Sequence, residues 1–209
     1  MSVIAFRPRL RAAALFLAAL CAGGPAQAAT VAYRTVDSAG RALDGVVIAL
    51  LPASRANLPA PRPARIEQVR KSFMPQVSAV QVGAAIEFPN NDTVRHHVYS
   101  FSPAKVFELK LYSGKPEKPV VFDKAGLVVL GCNIHDQMVA YVSVVDTPWF
   151  AVSGSDGGAQ IRDMPPGEYQ VQVWHPRRLG LPDLPLRPLA AHKDGAVGRR
   201  QHGRRLVAP

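Results

Sequence analysis

Residues 126–146 read GLVVLGCNIHDQMVAYVSVVD. Two apolar, β-branched runs at 127–130 and 139–145 read as strands. The short polar turn between them carries Cys132, His135 and Met138 at C-x-x-H-x-x-M spacing. A thiolate, an imidazole and a thioether on one turn are the donor types that suit copper moving between its two oxidation states. A fourth donor has to come from elsewhere, and the pair His96-His97 in FPNNDTVRHHVYSFSP (88–103) supplies it. Residues two apart on a half-buried strand share a face, so Val128, Leu130 and Cys132 line up and the cysteine arrives at the edge of an apolar core. Such a surround limits water access and tunes the redox potential of a metal held there.

Other chemistry fits the turn less well. Thioether is a poor ligand for zinc, whose sites close with a further thiolate, imidazole or carboxylate. Covalent haem attachment needs two cysteines where Cys132-Asn133-Ile134-His135 has one. A cysteine nucleophile with His135 as its base lacks a third, orienting group. No catalytic residue is assigned, and the chain reads as a non-enzyme.

The first 28 residues read as a leader. Arg7, Arg9 and Arg11 form a basic start, residues 12–21 an apolar run, and Ala26-Gln27-Ala28 a small-x-small cleavage site. The apolar run is too short to span a bilayer, and no other stretch approaches that length. Cys21 follows Leu20, where a lipid-attachment site carries a small residue. Export to a periplasm follows, with no integral membrane span. Cys132 is then the one thiol of the mature chain, in an oxidising compartment where an unpaired cysteine calls for an explanation. A lone cysteine is often a small core residue. His135 and Met138 on the same turn favour ligation.

The net charge of +10 belongs to the ends of the chain. Residues 29–176 hold fourteen basic and thirteen acidic side chains, a net +1, while eight basic residues face two acids from 177 onward. A nucleic-acid surface wants a basic stripe on the folded part with aromatics among it, which this body lacks.

Along the chain, 31–36 and 45–51 read as strands, and the proline-rich 52–63 as an irregular linker. Short strands then follow at 77–82, 85–88, 98–100, 106–111 and 120–122, ahead of the two that flank the cysteine turn. Gly, Pro and Asn turns separate them, helical periodicity is absent, and an antiparallel β-sandwich is expected. Beyond 147, the runs 159–161 and 169–174 read as strands, and 178–209 as a disordered basic tail.

The stretch AGLVVLGCNIHDQMVAYVSV (125–144) resembles the copper loop of the cupredoxins in the short form seen in amicyanins and pseudoazurins. Gly126 matches the family's turn glycine, Val128 and Leu130 occupy its two aromatic positions, and three ligand types fall in register. FPNNDTVRHHVYSF (88–101) resembles the family's Asn-rich loop and first ligand histidine. That register makes His96 the ligand and sets His97 where the family has asparagine; His97 is an alternative ligand or a support behind the site, and Asn91 a further support. The resemblance covers about 66–146, and the cupredoxin domain is placed at 64–146. It implies a Greek-key β-sandwich holding one copper ion, Cu(II)/Cu(I), in a trigonal Cys-His-His site with Met138 as a weak axial ligand. Single-electron exchange with redox protein partners is implied with it, His135 being the exposed edge. HHVYSFSPAKVFELKLY (96–112) with GCNIHDQM (131–138) also resembles periplasmic proteins labelled methylamine-utilisation or plastocyanin-like.

The flanks carry a second resemblance. VDSAGRALDGVVIALLP (36–52) is similar to the opening of a carboxypeptidase-regulatory-like or transthyretin-like sandwich, and SDGGAQIRDMPPGEYQVQVWHP (155–176) to its closing half. Segments 30–54 and 147–177 are therefore expected to form one small sandwich split by the copper domain at 64–146; the alternative is that 31–51 supplies the first strand of the cupredoxin sandwich. Three functions fit: an electron carrier, a copper capture or delivery protein, and a metal-free β-sandwich binding module.

Overall fold

The computed structural model describes residues 28–54, 57–178, 187–192 and 204–207. The leader, apart from residue 28, and most of the basic stretch after 178 lie outside the described residues.

The chain is all-β, as its alternating apolar runs require. Among the described residues the sole helical element is a 3-10 turn at Pro176–Arg178. Strands β1 (Ala29–Val36) and β2 (Val47–Pro52) open the fold. The middle holds β3 (Ala64–Arg65), β4 (Glu67–Val69), β5 (Ser72–Met74), β6 (Val77–Gln81) and β7 (Ala84–Glu87). It continues through β8 (His96–Ser102), β9 (Lys105–Tyr112), β10 (Val120–Phe122), β11 (Gly126–Gly131) and β12 (Val139–Val145). The closing strands are β13 (Phe150–Val152), β14 (Gly158–Met164), β15 (Gly167–Trp174), β16 (Arg187–Ala191) and β17 (Arg204–Val207).

Two hydrophobic cores result. In the first, a five-stranded sheet ordered β6-β12-β11-β8-β9 packs against a small sheet ordered β10-β7-β3. Val128 and Leu130 of β11 meet Ile86 of β7 and Phe122 of β10 there, all fully buried. Phe88, Phe107 and Phe122 cluster with ring centroids 5.6 to 6.4 Å apart. Burying such side chains stabilises the fold by roughly 1.5–3 kcal/mol each before the cost of ordering them. In the second core, β13-β2-β15-β16 packs against β14-β1-β17, with Tyr33, Ile48, Leu50, Ile161 and Val171 inside.

Two expectations are corrected. The sandwich is mixed rather than wholly antiparallel: β6 runs parallel to β12, Tyr141 lying opposite Val77, because the chain leaves β6 for the opposite sheet instead of turning back beside it. The stretch after 178 is also not uniformly irregular. Its β16 pairs antiparallel with β15 and buries Leu189 and Ala191 in the second core, and β17 pairs with β1. Pro188 sits in β16, which is tolerable because β16 is the edge of its sheet among the described residues.

Candidate metal centre

The centre lies at one end of the first core, where the β7–β8 and β11–β12 connections meet. Strand β11 alternates, with Val128 and Leu130 inward, so Cys132 follows on the buried side and is 3% exposed. The turn behind it closes with the Met138 N–H donating to the His135 carbonyl at 2.9 Å. That closure returns Met138, 1% exposed, to the same core as Cys132.

Strand β8 supplies the other wall. Its even positions His96, Val98 and Ser100 are fully buried, and His96 Nδ1 lies 3.9 Å from Cys132 Sγ. The His96 and His135 rings meet edge to face, 5.0 Å between centroids. The donor atoms of His96, Cys132 and His135 all fall within 4.8 Å of one another, so the three can hold one metal ion. His135 Nδ1 is a buried polar atom with no hydrogen-bond partner among the described residues. Leaving such an atom unpaired is costly unless something bonds it. A buried free thiol, an orphaned imidazole nitrogen and a second imidazole a few ångströms away fit a soft transition metal such as copper.

The remaining residues singled out by sequence lie elsewhere. His97 points to the opposite face of β8, since neighbours on a strand alternate. Its ring packs 5.6 Å from that of Tyr99, and its Nε2 lies 2.9 Å from Glu108 Oε1 without hydrogen-bond alignment. Asn91 is exposed and donates its amide to Glu67 Oε2 at 3.1 Å. The asparagine that supports the loop is Asn90, 4% exposed. Its amide donates to the carbonyls of Val94 (2.9 Å) and Tyr112 (2.8 Å), and its Oδ1 accepts from the Asp92 N–H at 3.0 Å. Of the two neighbours, residue 90 turns its side chain inward and residue 91 outward.

Three supporting groups were not legible in the sequence. Asp92 Oδ2 lies 2.7 Å from His96 Nε2, and its carboxylate also accepts from the backbone N–H groups of Arg70 and Lys71. Burial opposes the charge on Asp92, but the Lys71 N–H, His96 and the Arg70 N–H together hold its carboxyl below the usual carboxylate range. Tyr112 donates its hydroxyl to the Phe88 carbonyl at 2.6 Å and accepts from the Gln68 amide, which ties the start of the ligand loop to β4 and β9. Burial pushes the Tyr112 hydroxyl up to about 12. An Asp four residues before His96 was the one available clue; Gln68 and Tyr112 act across 44 residues and left none.

In fold the chain resembles cupredoxins. A purple cupredoxin from Nitrosopumilus maritimus is 22% identical, aligning over 39% of this chain and 99% of its own, with a TM-score of 0.35. Amicyanin from Paracoccus versutus is 18% identical over 47% of this chain and 97% of its own, at 0.33. A copper-containing nitrite reductase from Thermus scotoductus is 24% identical over 53% of this chain and 28% of its own, at 0.38. No protein-family model and no curated protein matches the sequence. With likenesses this distant, the reading of the centre rests on its own geometry.

Proposed function

We propose that the chain is an exported type 1 copper protein that passes single electrons between protein partners, with His96, Cys132 and His135 as its principal ligands and Met138 as a weak fourth. The convergence of those three donor sets within 4.8 Å, from two separate connections of one sandwich, carries the reading. Copper supplies the one-electron couple, and mixed thiolate, imidazole and thioether ligation is compatible with both of its oxidation states.

The protein's part is to hold those donors still. Cys132 is fixed by the β11–β12 ladder, in which Gly131 pairs with Val139 on either side of the turn. His96 is fixed by β8 and by Asp92. The core around Val98, Leu130 and Met138 excludes water, which keeps the thiol from exchange chemistry and strengthens electrostatic interactions at the site. His135 is less buried than either and is followed by acidic Asp136, with the 48%-exposed Ile134 before it. That edge is the proposed point of contact with redox partners. Export through the leader at 1–28 is part of the proposal and predicts a mature chain beginning at Ala29.

Adding Cu(II) to the purified mature protein tests it. An intense visible thiolate-to-copper band with narrow copper hyperfine splitting is expected, and Cys132→Ala is expected to abolish the band. Tight Cu(I) retention without the band would instead favour copper delivery. No retention of either ion would leave the β-sandwich as a metal-free binding module.

A further inference from the structure

His96 has both ring nitrogens committed. Nδ1 faces Cys132 Sγ at 3.9 Å, and Nε2 faces Asp92 Oδ2 at 2.7 Å. An ionised carboxylate only accepts, so the nitrogen facing it carries the proton and Nδ1 keeps its lone pair toward the thiol. The carboxylate is itself gripped. Arg70 and Lys71, at φ 51° and 55°, form a two-residue turn between β4 and β5. Consecutive left-handed residues direct successive N–H groups into one hollow, and both amides there donate to Asp92. Neither residue is glycine, so the turn accepts backbone strain where glycine would avoid it. The strained hairpin tip is also latched to the ligand loop: Asn91 N–H donates to the Gln68 carbonyl, and Gln68 N–H to that of Pro89.

We propose that Asp92 is a positioning and tuning residue for the metal held by His96: clamped by the β4–β5 turn, it locks His96 as an Nδ1 donor and makes that imidazole a more basic ligand. This rests on the copper reading above. A carboxylate behind a ligating histidine orients the ring and raises its basicity, and its loss typically costs 10- to 100-fold in metal affinity. A nearby negative charge stabilises the doubly charged ion more than the singly charged one. Asp92 therefore favours Cu(II), and its removal raises the reduction potential. A merely structural anchor would lower stability and leave the couple where it was.

The test has a metal-free arm and a copper arm. In the apo protein, nitrogen-15 spectra of His96 are expected to show Nε2 protonated and Nδ1 not. In the copper protein, Asp92→Asn keeps the shape and removes the charge; the ratio of Cu(II) to Cu(I) affinity is expected to fall about tenfold, a rise of roughly 59 mV for a one-electron couple. Asp92→Glu, which restores the charge, is expected to recover most of that change.

A blue protein whose affinity ratio is unchanged by Asp92→Asn overturns the proposal alone. So does a wild-type apo spectrum with the proton on Nδ1, a result that needs no variant to fold. A wild-type chain with the expected tautomer that takes up no copper overturns the functional reading, and the tuning with it.

Discussion

At the scale of single residues, the contrast between His96 and His97 is decisive. Consecutive strand positions face opposite sides, so one imidazole enters the core end with Cys132 while the other lies over Tyr99 on the outer sheet face. His97→Ala is therefore expected to cost roughly 1–3 kcal/mol of stability, as for truncation of a packed ring, and to leave the copper spectrum unaltered. His96→Ala is expected to remove the spectrum. Copper titrations of the two variants, read with their urea midpoints, separate these outcomes. The candidate trio was partly legible in the sequence, because Cys132 and His135 lie on one local turn and the structure brings His96 to within 4.8 Å of them. Asp92 was not, because a turn-forming aspartate reads as a turn former until a distant hairpin is seen to grip it. Asn90 and Asn91 could not be told apart, since which of two neighbours points inward depends on loop geometry that composition does not encode.

At the scale of elements, alternation located the strands well wherever one face is buried. The second core shows where it failed. Strand β16 offers only Leu189 and Ala191 to the interior, behind an exposed Arg187-Pro188 start, too little to stand out from a Pro- and Arg-rich surround. Turns in this half are more demanding than the strands they join. Gly157 has φ +75°, and a Cβ there would press into the Thr35 backbone carbonyl. That same Thr35 donates its N–H (2.8 Å) and its hydroxyl (3.1 Å) to the Gly157 carbonyl. Gly157→Ala combines a disfavoured backbone with a collision against an immobile atom, and a loss of about 2 kcal/mol or more is expected. Thermal unfolding checks the loss, and an unchanged copper spectrum in the same variant shows that it is confined to the second core.

At the scale of the whole molecule, the two cores are joined by contacts of their own. Tyr141 on β12 packs against Trp174 on β15, 5.7 Å between ring centroids. Beside them His175 is buried, its Nε2 donating to the Asp44 carbonyl at 3.1 Å and its Nδ1 accepting from the Arg177 N–H at 3.2 Å. The second bond needs the neutral ring, because a protonated Nδ1 has no lone pair to accept it. Burial lowers the His175 pKa below its ordinary value near 6.5, outweighing the Asp44 carbonyl. Above that value the ring is neutral folded or unfolded, and its contribution is complete. As pH falls through it the unfolded chain takes the proton first, so stability is lost progressively until the folded ring also protonates. The melting temperature of the wild type is expected to drop further between pH 7 and pH 5 than that of His175→Gln.

The hydroxyl bond from Thr35 to Gly157 spans 122 positions of sequence. The segments it joins flank the middle of the chain, and everything that builds the centre lies between them. During synthesis β1 and β2 emerge early and wait, apolar faces unmatched, for β14–β16, whereas β3–β12 have their own partners close behind. The cost of closing so long a loop falls once the middle has folded and brought its ends together. In chain order the strands least able to pair alone thus come first and are completed last, and the early segment is the one for which a chaperone or a fast-folding middle matters most.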